Sequence, residues 1–337
     1  MAINFFDFEG RLCTAVPWQG KNIVRFFDYI LRANPDVSEK HLKDYVPMYI
    51  GDLRDRFREE EINYLKWMSS NIQLMQDMNN IIKSGIKKIG NLAYGYSIPA
   101  DFFYEKCYAG FLNISTNDIL KKFGIDGASY FNLIDTKIKD LVAYSNYINK
   151  RNKYLFFKMS RSAGHYYIEI LPLLRLESNL RFYLTVKPNM VSDLSLFLAK
   201  EFLKIAHKEK KRLDFKLARD FRADTIVVYG GNSTIDLIKN LDNNWFLNFQ
   251  MPFTKKIGKG RGVAVDINRN IANKLNIPLE VELSNGAILC YLISKAFNEF
   301  SRKMKRYPHD EHENLGIILN ACYGLFKHNI NLGDISQ

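Results

Sequence analysis

The chain has 337 residues, 47% hydrophobic and 14% aromatic, enough apolar material for one large or two modest packed domains, which excludes a disordered chain. No stretch approaches the roughly 18 apolar residues of a membrane-spanning helix. The formal charge of +12 asks for an anionic partner; nucleic acid is the default, but zinc spacing, a recognition helix and an RNA-binding aromatic motif are all missing, and acidic residues are interleaved with the lysines. A phosphorylated or acidic substrate fits equally well.

The opening MAINFFDFEGRLC carries Asp7 and Glu9 and has no basic lead, so no signal peptide and a cytoplasmic location are expected. Cys13, Cys107, Cys290 and Cys322 are scattered in apolar or aromatic surroundings without metal-ligand spacing, and read as reduced core thiols. No metal or cofactor is expected.

Residues 1–150 are expected to form a mainly helical region serving as scaffold and as a partner or peptide surface. Its clearest helix is Asp55 to Lys88, where Ile62, Leu65, Met68, Ile72, Met75, Met78, Ile82 and Ile86 recur every three or four residues. The methionines are expected in the core, where they fill irregular gaps. Pro99 ends the next segment, Ser115 to Asp118 opens a helix, and Gly124 with Gly127 separates two more.

Residues 151–337 form a second region, with strand formers in KYLFFK and HYYIEILPLL. His165, Tyr167 and Glu169 alternate with Tyr166, Ile168 and Ile170, and a turn at Glu177, Ser178 and Asn179 is expected to lead back into the next strand as an antiparallel hairpin. That strand, Leu180 to Val186, points Leu180, Phe182, Leu184 and Val186 one way and Arg181, Tyr183 and Thr185 the other. A helix is expected over Met190 to Lys210. Arg212 to Ala218 is a second such strand, with Lys216 opposite Leu213, Phe215 and Leu217. Thr225 to Tyr229 is a third, ending at Gly230 and Gly231. Strand, helix, strand implies a crossover, and a central mixed sheet with flanking helices in an α+β chain.

Beyond it come a short helix at Ser233 to Leu241 and a strand at Trp245 to Phe249. A glycine-spaced basic loop follows, with Lys255, Lys256, Lys259 and Arg261, read either as a solvated loop or as a substrate clamp. It lacks the Walker pattern, which needs GxxxxGK followed by Ser or Thr. Two helices, Ser284 to Lys305 and Asp310 to Lys327, end the chain.

If the three strands are neighbours, Arg181, Tyr183, Lys216 and Tyr229 converge on one face, with Arg219 and Arg222 at an adjacent strand end. A lysine partly desolvated among cations has its pKa pushed down and becomes available as a general base. Arginines beside it bind a phosphate dianion bidentately. Base plus phosphate clamp suits β-elimination of phosphate from phosphoserine or phosphothreonine, in which the lysine removes the Cα proton and the clamp stabilises the departing charge.

The run RFYLTVKP, a helix, then FKLARDFRADTIVVYGG resembles the HopA family, which comprises type III secretion effectors of plant pathogens and homologous lyases of class V lanthipeptide and thioamide peptide pathways. The likeness covers roughly residues 150 to 300 and is sharpest at RADTIVVY. It implies phosphate elimination from Ser or Thr of a precursor peptide, giving dehydroalanine or dehydrobutyrine in lanthipeptide-type biosynthesis, after a separate kinase has acted. It also implies a phosphothreonine-lyase-like fold, through a more distant similarity to the phosphothreonine lyases of animal-pathogen effectors. Their strand motif KFHISV lies over Arg181 to Val186 and their WKVTD over Phe215 to Arg219. The catalytic lysine then falls on Lys216, and the phosphate ligands on Arg181, Arg222 and Tyr229. Their general-acid histidine falls on Tyr183, so either Tyr183 donates the proton, or His165 does, or the clamp makes an acid unnecessary. The other class of function is a secreted effector that binds a host protein without turnover. No nucleic-acid or membrane partner is expected.

Overall fold

The structure is a computed structural model that describes residues 3–6, 12–15, 63–64, 67, 70–90, 94–108, 116–151, 155–162, 164–172, 180–209, 213–249, 251–281, 283–309 and 311–330. It is an α+β chain whose packing divides into two compact units, Met1–Ala109 with Ile267–Gly333, and Gly110–Asp266 with Asp334–Gln337. The composition shift near residue 150 falls inside the second unit.

The chain begins in the first unit with an antiparallel ribbon of β1 (Ile3–Phe6) and β2 (Leu12–Ala15), in a region expected to be helical. Helix α1 (Ile72–Ile89) follows; of the expected helix, residues 55–62, 65, 66, 68 and 69 lie outside the described residues. Met75, Met78, Ile81, Ile82 and Ile89 of α1 are buried, so Met75 and Met78 of the stripe are core, while Met68 lies outside the described residues. A π-helix spans Phe102–Tyr108.

The second unit opens with α2 (Thr116–Lys122) and α3 (Gly127–Arg151), separated at Gly124 as the glycines predict. Then come β3 (Leu155–Ser162), β4 (His165–Pro172), β5 (Leu180–Leu184), α4 (Val191–Glu209), β6 (Leu213–Ala218), β7 (Ile226–Gly230), α5 (Asn232–Lys239), β8 (Lys255–Gly258) and β9 (Arg261–Val265). The strands form one seven-stranded sheet in the order β3-β4-β6-β7-β5-β9-β8. Every pairing is antiparallel, not mixed as expected. The reason is topological: the helical crossover α4 makes β5 and β6 parallel to each other, but β7 enters between them, so no parallel pair is hydrogen-bonded.

Three other expectations are corrected. The hairpin partner of β4 is β3, and its other neighbour is β6, so β4 does not pair with β5; the expected turn at 177–179 lies outside the described residues. Trp245 to Phe249 is not a strand. Asp242 caps a short 3-10 turn over Asn243–Trp245 by accepting from the Asn244 N–H at 2.9 Å, and Phe246 makes one isolated bridge to Val186. The basic loop is a hairpin, β8 to β9, turned at Gly260 with φ +62°. A Cβ there would stand 2.2 Å from the Leu247 carbonyl oxygen, so only glycine fits.

One face of the sheet is apolar. Ile168, Ile170, Leu213, Phe215, Leu217, Ile226, Val228, Phe182 and Leu184 form a core with Tyr130, Ile134, Ile138 and Leu141 of α3 and Leu194, Leu198 and Phe202 of α4. The other face carries the site.

The chain then returns to the first unit with α6 (Arg269–Lys274), α7 (Asn285–Met304) and α8 (Glu311–Lys327). Ser284 caps α7, its hydroxyl accepting from the Ala287 N–H at 3.2 Å. The Cys322 thiol meets the Met78 sulfur at 3.5 Å, and Cys107, Cys290 and Cys322 are buried free thiols. Among the described residues no helix is long and apolar enough to cross a membrane.

Candidate functional site

Directly paired residues of antiparallel strands share a face, so the register lays out the polar face in rows. The middle row is Tyr167, Lys216, Val227, Tyr183 and Gly262. Glu169, Asp214, Tyr229, Arg181 and Ala264 form the row on one side of it. On the other side His165 pairs with Ala218, whose N–H donates to the Thr225 carbonyl at 2.9 Å. Arg181, Tyr183, Lys216 and Tyr229 are therefore together on one face, and β4 adds His165 and Tyr167 to it through β6.

Lys216 and Tyr183 flank Val227, two strand spacings or about 10 Å apart at Cα. Val227 is buried and short, so both long side chains can reach over it. Arg181 stacks its guanidinium 5.3 Å from the centre of the Tyr229 ring. At the β9 end of the middle row the Thr254 side chain closes on Gly262, where a Cβ would lie 2.4 Å from the Thr254 hydroxyl.

Arg222 is carried by the loop between β6 and β7. That loop is pinned from both sides, because the Thr185 hydroxyl donates to the Ala223 carbonyl and the Thr225 hydroxyl to the Arg222 carbonyl, each at 2.7 Å. The same loop carries Asp224, 6% exposed, whose carboxylate is ion-paired with the Arg222 Nε. Burial raises the Asp224 pKa, against the pull of Arg222 and Lys216. A second carboxylate, Asp266, lies 2.7 Å from the Arg181 Nε. Neither aspartate is named by the sequence reading. Asp224 stands two residues from Arg222 in a strand-end loop, and that spacing was the available signal.

His165 is half-buried, and its Nε2 is buried without a hydrogen-bond partner. Burial, then the charges of Lys216 and Arg222, pull its pKa down to about 4, so the imidazole is neutral at pH 7. Tyr183 is also buried, and burial raises its phenol pKa despite the nearby Arg181. It keeps its proton and is a donor. For Arg181, burial works toward a lower pKa, but Tyr183, Asp266 and Tyr229 outweigh it and the value is raised.

Three expected site residues lie elsewhere. Arg219 has the parity of Phe215 and Leu217, and leaves on the helix side, 4.4 Å from the Phe131 ring centre and 3.9 Å from Asp135. Arg261 pairs with Leu184 and is also on the helix side. There it is 5% exposed and donates to the carbonyls of Ile238, Lys239 and Leu241 at 3.0, 3.1 and 2.8 Å and to Asn243 Oδ1 at 2.6 Å. It thus closes the C-terminal end of α5, where carbonyls lack helical partners. Its two terminal nitrogens are engaged inside the fold and the side chain is enclosed, which takes it away from the polar face. Lys259 is exposed in the β8–β9 turn, at the same end of the sheet as the Arg222 loop.

The face therefore gathers a lysine, two arginines, a neutral imidazole and three phenols, with a carboxylate already beside each arginine. Such a set can exchange a carboxylate for a stronger oxyanion and move a proton. No protein-family model matches the chain, and no curated protein matches it significantly.

Proposed function

We propose that this face is the active site of a phosphoserine or phosphothreonine lyase with a phosphothreonine-lyase-like fold, acting on a precursor peptide that a separate kinase has phosphorylated. Lys216 takes the Cα proton. The Cα–H electrons form the Cα=Cβ double bond, the Cβ–O bond breaks, and phosphate leaves with that bond's electrons. Arg222, Arg181 and Tyr229 bind the phosphate and stabilise its growing charge. The proton for the leaving oxygen comes from Tyr183, whose phenol stays protonated, or from His165. In the latter case the bound dianion raises the imidazole pKa by offsetting Lys216 and Arg222.

The observation that supports this reading is the surrounding of His165: a buried ring nitrogen with no hydrogen-bond partner, whose pKa is lowered by burial first and then by the charges of Lys216 and Arg222. An anion placed there gives the ring nitrogen a partner and offsets the two charges.

The test is to incubate the chain with a phosphothreonine peptide and follow the peptide's mass. Elimination removes phosphoric acid, roughly 98 Da, and leaves a thiol-reactive alkene, whereas attack at phosphorus loses about 80 Da. An unchanged mass with every phosphopeptide offered, including one from a co-encoded kinase, turns the reading toward an effector that binds a host protein without turnover.

A further inference from the structure

Asp224 sits where a phosphate ligand of Arg222 would compete with it. It cannot step aside, because its neighbours Ala223 and Thr225 are buried and the loop is tied to β5 through Thr185 and to β6 through Ala218. Arg222 is the more exposed partner, its side chain at 29% against 8% for Asp224. The other groups facing Asp224 are Lys216 from β6 and Tyr183 from β5, and His165 from β4 faces Arg222 and Lys216 in turn.

We propose that phosphate binding exchanges the partner of Arg222, from Asp224 to the ligand, and that a proton is taken up from solvent onto Asp224 as this happens. The inference rests on the phosphate-binding reading of this face. A phosphate dianion offers the guanidinium more charge and more acceptor oxygens than one carboxylate does. The exchange leaves Asp224 buried with Lys216 as its one remaining cation, and a lysine about to act as a base is uncharged. A buried carboxylate without a counter-ion is costly, and it becomes neutral instead. Burial already biases Asp224 in that direction. Asp224 is then a positioning residue: it holds Arg222 in place in the empty site and removes its own negative charge when the dianion arrives.

Linkage gives the consequence. A ligand whose binding carries a proton loses affinity as pH rises, by up to about tenfold per unit. The phosphate does not obscure this above pH 7, because its second ionisation lies near about 6.

The experiment is calorimetric titration of the full chain with a phosphothreonine peptide at pH 7.5, in two buffers of different ionisation heat. The wild-type chain is expected to take up a proton, approaching one per peptide bound, and its affinity is expected to fall between pH 7 and 9. In Asp224→Asn the uptake and the pH dependence fall by the share of Asp224, and any uptake that remains belongs to His165. Binding with no uptake in the wild-type chain, or the same uptake in Asp224→Asn, overturns the exchange and leaves phosphate binding intact. Failure to bind the phosphopeptide at all overturns the phosphate reading and the exchange with it. If Asp224→Asn does not fold, the same titration of His165→Asn decides the matter: uptake that persists there belongs to Asp224, and its loss overturns the exchange.

Discussion

The two faces of the seven-stranded sheet come from the same strands in alternation, and they use arginine in opposite ways. On the helix side Arg261 is enclosed and its two terminal nitrogens donate to three backbone carbonyls and an amide oxygen. On the polar side Arg222 meets a carboxylate and remains partly exposed. The difference teaches that a cation's role is set by whether its donors are already spent on groups that cannot move. Backbone carbonyls at a helix end cannot be exchanged, whereas a carboxylate that can accept a proton can be.

The sharpest way to break the comparison is to change neighbours in one strand. Lys216→Ala is expected to lower the elimination rate by roughly 10² to 10⁴, the contribution of a positioned base, with the melting temperature nearly unchanged. Phe215→Ala, one residue away on the other face, is expected to cost about 3 to 5 kcal/mol of stability, seen as an early urea midpoint. Full turnover in Lys216→Ala removes the lysine from the mechanism.

The arginines come next. Arg222→Ala and Arg181→Ala are expected to weaken phosphopeptide binding by roughly ten- to a hundredfold, the loss of charge-assisted bonds, with little change for the unphosphorylated peptide. Equal losses for both peptides would assign these arginines to the fold. Arg261→Leu is expected to do the reverse: about 1 to 3 kcal/mol of stability is lost through orphaned carbonyls, and the folded protein keeps its phosphopeptide affinity by titration.

The smallest effect expected is in the first unit, where Glu313 accepts from the Arg306 guanidinium and from the His309 N–H. Burial works to raise the Glu313 pKa, but these bonds and the Arg306 and His309 charges hold it below the usual value. Its contribution to stability is therefore complete above the unfolded value of about 4.3 and is lost as pH falls through the lower folded value. Urea midpoints from pH 6 down to 3 should drop less in Glu313→Gln than in the wild-type chain.

Much of the polar face was legible because alternation fixes parity within a strand: Arg181 with Tyr183, Lys216 against Phe215, Tyr229 with Val227. The same parity, carried one step past Ala218, turns Arg219 to the helix side. Strand partners were less legible, since β4 takes β6 as a neighbour across a stretch of chain that includes β5 and α4, and no local pattern encodes so distant a pairing. The β8–β9 hairpin was hidden by its glycines and lysines, although Arg261, Val263 and Val265 alternate as a strand requires. The carboxylates beside the arginines were missed because a surplus of positive charge draws attention to cations, whereas burial decides which acids join them.

The most direct measurement of the central claim follows the Cα hydrogen. A phosphothreonine peptide labelled with deuterium at Cα and its unlabelled counterpart are incubated with the chain, and the product masses are compared. Elimination by Lys216 breaks the Cα–H bond in every turnover, so the two products should have the same mass, with the label lost to solvent. A dephosphorylated product that keeps its deuterium, or no release of phosphate from either peptide, would contradict the account.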